Sequence, residues 1–454
     1  MPHILGFDGG LSNGYYDRKT TMMPRSNLEH AVGIFLIGCA LASASFFNAY
    51  SKEAIYALAL FSSISVLLEP LLGLTLAVAS LPWFGFTLIP DAFSLTKGVT
   101  ALTIVALALR LGMGILAFPN ISQSLRWYAF ALVFSLTTTL FTPGFNELFL
   151  EAIQTPVLAG FFPFLFVIIL RNYDQLRFLS VGGIIAGSAL VVAILVLGIE
   201  AFVTSEVQMR LSAGTNENEL GQILTVCLAL CLVVGAETTF TWRVIVAIAG
   251  LLLVYAILLT QSRGTWVGII FATGVTTFFV PGLSLKNRVT FVGSFVLLGL
   301  VSIFLVLYDV GGVGEFFEAR TAELFQQGAS GSAGRVEWIW PLWFNTFLEN
   351  PLIGIGVGGS ASVVNVNPHN DVLSLLGERG LLGFSLYMVF QVLIFRESLK
   401  NSIVSFRCIA IWILVFLMTS GMFSESIFLK SYGLGIGLVE VLNNIGIRTD
   451  THKT

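Results

Sequence analysis

His369 stands in the stretch Asn367-Pro368-His369-Asn370-Asp371, and the other three histidines, His3, His30 and His452, lie close to the two ends of the chain. Imidazole is the side chain whose ordinary titration falls near neutral pH, so the chemistry it suits best is proton transfer, as a general base toward a hydroxyl nucleophile. Asn370 or Asp371 can orient the ring. They can equally cap a helix beginning near residue 372, which would make His369 an interfacial cap residue. A metal centre is not expected, because carboxylates would have to supply the whole shell.

Two arginines have the chemistry of an anion site. Arg263 lies in Gln261-Ser262-Arg263-Gly264, a tight connection between apolar runs. Ser262 can cap the next helix, Gly264 lets another chain segment come close, and a guanidinium binds phosphate by paired hydrogen bonds. The alternative is an arginine reaching to lipid phosphates. Arg210 opens the polar segment that runs through Asn216, Glu217, Asn218 and Glu219. Glu378, Arg379 and Gly380 follow His369; charges in an apolar span line a cavity or pair with each other. Arg379 is therefore either part of the same anion pocket or the partner of Glu378. Trp338, Trp340, Trp343, Phe344 and Phe347 fall in one short helical window, the composition of a helix lying at a membrane interface, which Pro341 bends or restarts. Gly354, Gly356, Gly358 and Gly359 come next and lack the strand and lysine of a nucleotide loop. They read as a close backbone approach near a headgroup or as a flexible link.

The elements that must hold these residues are membrane helices. The chain is 56% hydrophobic and 11% charged, against about 25% charged in soluble domains. Apolar runs recur near 31–50, 54–69, 71–90, 97–118, 126–142, 149–170, 178–203, 220–235, 243–259, 265–281, 289–308, 371–395, 405–421 and 427–442. The expected fold is all-α: a polytopic integral membrane protein of about 12–14 transmembrane helices with one long outer loop containing short interfacial helices. The expected order is an N-terminal cytoplasmic segment 1–30, helices with short loops over 31–308, the long loop 309–370, further helices over 371–442 and a cytoplasmic tail 443–454. No cleaved signal peptide is expected, so 31–50 stays as an anchor. Cys39, Cys227, Cys231 and Cys408 all fall in apolar runs and read as small packing residues.

Charge sets the orientation. With the N-terminus inside, Arg18, Lys19, Arg25, Arg126, Arg171, Arg177, Arg243, Lys286, Arg288, Arg396, Lys400, Arg407, Arg448 and Lys453 are cytoplasmic, 14 of the 23 basic residues. Eight fall outside: Lys52, Lys97, Arg210, Arg263, Arg320, Arg335, Arg379 and Lys430, while Arg110 lies near the inner side. This positive-inside bias puts the N-terminus in the cytoplasm and the long loop outside. Four polar segments then share the outer face: 210–219, 261–264, the long loop, and 421–425.

Three local patterns, in this order, resemble the family of O-antigen ligases and related polysaccharide polymerases. They are the segment from Arg210 to Asn218 before a span, Ser262-Arg263-Gly264, and Pro368-His369-Asn370 followed by Glu378, Gly380, Leu381, Leu382 and Gly383. Glu349-Asn350-Pro351-Leu352-Ile353-Gly354-Ile355-Gly356 is similar to that family's periplasmic loop. The resemblance covers residues 205–390; before that, only the series of spans corresponds. The family often has Asn-Pro-Asn where this chain has Asn216-Glu217-Asn218.

The resemblance implies an enzyme of the bacterial inner membrane with its active site facing the periplasm. It would transfer a glycan from undecaprenyl diphosphate to an acceptor hydroxyl on a sugar of the lipid A core, or, in the polymerases, on another lipid-linked chain. By the same resemblance, Arg263 and Arg210 hold the diphosphate and His369 is catalytic, with Asn370, Asp371, Glu378 and Arg379 in support. The donor is already activated, so neither cofactor nor metal is expected. The partners are the lipid-linked donor, the acceptor and membrane lipids. A secondary transporter is the competing class, and it would place functional charges at mid-membrane in repeated halves. Nucleic-acid binding has no basic patch to support it.

Overall fold

The structure is a computed structural model and describes residues 32, 52–83, 95–140, 160–197, 217–236, 239–308, 335–359, 364, 366–424 and 430–451. Within these, the helices are α1 (Lys52–Leu68), α2 (Pro70–Ser80), α3 (Leu95–Gly112), α4 (Gln123–Thr139), α5 (Gly160–Ile169), α6 (Tyr173–Leu197), α7 (Glu217–Ala236), α8 (Phe240–Thr260), α9 (Arg263–Phe279), α10 (Leu285–Leu307), α11 (Trp340–Glu349), α12 (Asp371–Leu399), α13 (Val404–Gly421) and α14 (Lys430–Thr451). Six of them, α6, α7, α8, α10, α12 and α13, are long and apolar enough to cross a membrane. The chain is a multi-pass α-helical membrane protein. The span expected at 31–50, the loop residues 309–334 and Arg210 lie outside the described residues.

Local chemistry sets the helix ends. Pro70 has no N–H to give an incoming helix, so α1 stops and α2 starts there, with the buried Glu69 carboxylate accepting from the Leu71 N–H at 3.2 Å. Glu69 lies 3.9 Å from Arg110 of α3, which also donates to the Leu68 carbonyl. Ser122, Ser262, Ser284 and Asn370 cap α4, α9, α10 and α12 with side-chain oxygens.

α7 is the central element. It is buried along most of its length between α6, α8, α13 and α14, whereas α10 turns most of its surface outward. Cys227 and Cys231 face this core; a side chain at Gly187 of α6 would press on Leu253 at 2.8 Å and reach Cys227 at 3.5 Å. They are small packing residues. On the periphery, Ile185, Val196, Ile270, Phe278, Leu297 and Leu300 are exposed, the apolar exterior that lipid tails solvate.

α12 is interrupted. Gly380 has φ 61° and ψ −168°, a conformation reserved for glycine. The break splits two helical hydrogen bonds, those that would join Leu381 N–H to the Gly377 carbonyl and Leu382 N–H to the Glu378 carbonyl. The chain just after α11 fills both gaps. Ile355 and Gly356 donate to the Gly377 and Glu378 carbonyls at 2.9 and 2.8 Å, while Leu381 and Leu382 donate to the Pro351 and Leu352 carbonyls at 2.8 and 3.2 Å. Gly354, at φ 68°, lies so close to α12 that a Cβ would sit 2.3 Å from the Glu378 carbonyl carbon. The glycine cluster therefore does serve close backbone approach, and what it approaches is the chain's own helix.

Candidate functional site

Four helices begin at one place. Asn218, in the first turn of α7, accepts from the Ser262 hydroxyl at 2.7 Å, and Ser262 caps α9 through the Thr265 N–H. Gln222, one turn further along α7, donates to Ser420 and Ser424 at 2.7 and 2.8 Å and accepts from Ser431 of α14 at 2.9 Å. Asn370 caps α12 by accepting from Val372 and Leu373, and its amide donates to the Met422 carbonyl at 3.1 Å. Gly264 abuts the same segment, since a Cβ there would lie 2.9 Å from that of Phe423. The described parts of the four polar segments read from the sequence thus meet around residues 420–424. The N-terminal ends of α7, α9, α12 and α14 are gathered with them, and each carries unsatisfied N–H groups and a partial positive charge.

Arg263 occupies the first position of α9, where the helix dipole disfavours a cation, and its side chain is exposed. A second guanidinium joins it. Arg335, at the start of the turn leading into α11, is half-buried, reaches the Phe423 carbonyl at 3.5 Å and lies within the electrostatic range of Arg263 and Glu217. Burial first, then Arg263, pushes Arg335 below the ordinary arginine range, and Glu217 opposes them. Arginine stays protonated at neutral pH despite such a shift. Two like charges held together at the ends of helices make a field that a multivalent anion relieves. Sequence reading counted Arg335 only as a loop cation. Its adjacency to the tryptophan window was the available signal, but a contact across 72 positions is set by tertiary packing.

His369 sits half-buried with φ 49°, a left-handed conformation uncommon outside glycine. Its N–H donates to the Asn367 side-chain oxygen at 2.8 Å. α11 grips two carbonyls just before His369: the Trp343 indole donates to Val366 at 2.9 Å and the Trp340 indole to Pro368 at 3.2 Å. Trp343 is fully buried, and its ring lies over Gly377, where a Cβ would be 2.5 Å away. Pro341 falls in the first turn of α11, just after a wide turn over Arg335–Ile339, so it restarts the helix.

The remaining residues read from the sequence divide between two places. Asp371 is buried beside the Asn370 cap and acts electrostatically on Tyr387 and Tyr432, deeper in the bundle. Glu378 and Arg379 are buried at the α12 break. Glu378 accepts from the Gly358 N–H at 3.2 Å and lies 3.3 Å from Arg379, which also donates to Ser135 of α4 at 2.9 Å. Of the two roles read for Arg379, this geometry is the ion pair. Lys430, first in α14, is buried and feels Glu219 and Lys97.

With this geometry in view, the comparison with known proteins is informative. Residues 248–388 match the family model described as O-Antigen ligase. The matched region contains Arg263, Arg335, both tryptophans of the grip, His369 and the α12 break, and it ends before α13. No curated protein matches the chain. The match and the membrane helices together support a membrane enzyme of the class that handles lipid-linked glycans.

Proposed function

We propose that this protein is an O-antigen ligase-type glycosyltransferase. It moves a glycan from undecaprenyl diphosphate to a sugar hydroxyl of the lipid A core at the periplasmic face of the bacterial inner membrane. The observation that carries this reading is the meeting of Arg263 and Arg335 with four helix N-termini beside the segment that bears His369. A sugar diphosphate is an activated donor whose leaving group gains negative charge as the glycosidic bond breaks. Arginines and helix N-termini stabilise that charge where it develops. The acceptor oxygen attacks the anomeric carbon, the bond to the diphosphate breaks, and His369 takes the hydroxyl proton. One displacement inverts the anomeric centre. In this scheme Arg210 is a further diphosphate ligand, and Asn370 and Asp371 hold the entry to α12 while Glu378 and Arg379 hold its break.

The test uses the purified protein in proteoliposomes with a lipid-linked glycan donor and two acceptors. Glycan on lipid A core is the expected product. Elongation of the lipid-linked donor instead would assign polymerase activity, and flux across the bilayer without any new glycosidic bond would make it a transporter.

A further inference from the structure

The backbone leading into and out of His369 is held at several points. The carbonyls of Val366 and Pro368 are fixed by indoles, its own N–H by Asn367, and the next residue by bonds to Met422, Val372 and Leu373. A left-handed non-glycine residue is strained and persists only where its surroundings impose it. Two of the imposing groups, the Trp340 and Trp343 indoles, belong to α11. That same stretch begins with Arg335, the cation that faces Arg263. One short helical body therefore sets the aim of the histidine and also the place of one arginine. Its opposite face, with Val336, Trp338, Leu342, Phe344 and Leu348 exposed, makes none of these bonds.

From this we infer that Trp340 and Trp343 are positioning residues, whose indole N–H groups fix the Val366 and Pro368 carbonyls leading into His369 and hold its imidazole in register with the Arg263–Arg335 pair. Neither indole needs to touch substrate. The inference rests on the glycosyltransferase reading and on His369 as its base.

The bond, rather than the bulk of the ring, is what must be tested. Replacing Trp340 with benzothienylalanine keeps the bicyclic shape and removes the N–H, while 5-fluorotryptophan keeps both. In reconstituted full-length protein the sulfur analogue is expected to lower kcat for glycan transfer about tenfold or more, since misplacing a catalytic group by about 1 Å costs up to a hundredfold. The donor KM should stay within about twofold, and the fluoro analogue should restore kcat. In a His369→Ala background the same replacement should cost nothing further, because the two changes act on one step. Equal kcat for both analogues, or an additive loss in the His369→Ala background, overturns the positioning role while leaving the enzyme reading intact. Undiminished transfer by His369→Ala alone overturns the base reading and this inference with it.

Discussion

The two ends of α12 satisfy their polar groups in opposite ways. At the Asp371 end, cations gather around helix N-termini and face one another. At the Glu397 end, carboxylates meet hydroxyls, and Glu440 and Ser124 are fully buried. Ser122 donates to Glu440 at 2.8 Å, and the Ser124 hydroxyl lies 2.5 Å from both a Glu440 and a Glu397 oxygen. Asn443 donates to Ser398, and Asn401 donates to the Leu442 carbonyl, closing the cluster. The Glu397 end ties α4, α12 and α14 together through these bonds. At the Asp371 end, Arg335 feels Arg263 and Glu217 together, beside the Phe423 carbonyl. Polar groups in a membrane protein are no guide to catalysis by number alone. What separates a lock from a site is whether the charges answer one another.

That contrast can be broken by substitution, with the largest effect expected at the histidine. His369→Ala should lower glycan transfer about a hundredfold or more, the usual share of a general base, with thermal unfolding unchanged. Gly380→Ala should cost roughly 3 kcal/mol of stability, because a side chain there adopts a glycine-only conformation and meets the Leu352 carbonyl carbon at 2.4 Å. Loss of detergent-solubilised folded protein reports it, and wild-type unfolding would contradict the laced break. At the other end, Glu440→Ala should cost about 2 kcal/mol by removing the buried acceptor that Ser122 and Ser124 share, with transfer per folded molecule unaltered. Glu440→Gln, which keeps an uncharged hydrogen-bonding group, should cost less than the alanine change. A fall in turnover for either would mean that this end is more than a lock. The smallest effect is expected for Arg335→Ala: donor affinity about tenfold weaker, with a gentler response to added salt, since exposed charges are screened. Titration of transfer rate against donor at two ionic strengths measures both.

Much of this architecture was legible in the sequence because the bilayer constrains so few variables. Apolar run length gave the helices, and charge asymmetry gave an orientation. Ser262 and Asn370 announced themselves as caps by residue type and place. The polar segments could be assigned to one face before any coordinates. What remained hidden is what tertiary contact decides. Arg335 looked like one of two cations in a long loop, and nothing local pairs it with Arg263. Trp340 and Trp343 read as interfacial aromatics, a reading silent on their N–H groups, and Trp343 is buried within the protein. Gly380 within an apolar run gave no sign that the helix breaks there, since glycine is common in membrane helices.

The α12 break also constrains how the protein is made. Within a bilayer, a backbone carbonyl or amide without a partner costs several kcal/mol, and the break releases two of each. Their partners, from Pro351 to Gly356, precede α12 in the chain. That segment must therefore be in place before α12 can come to rest across its break. Assembly then has a fixed order, in which docking of residues 351–356 precedes completion of the helix they lace.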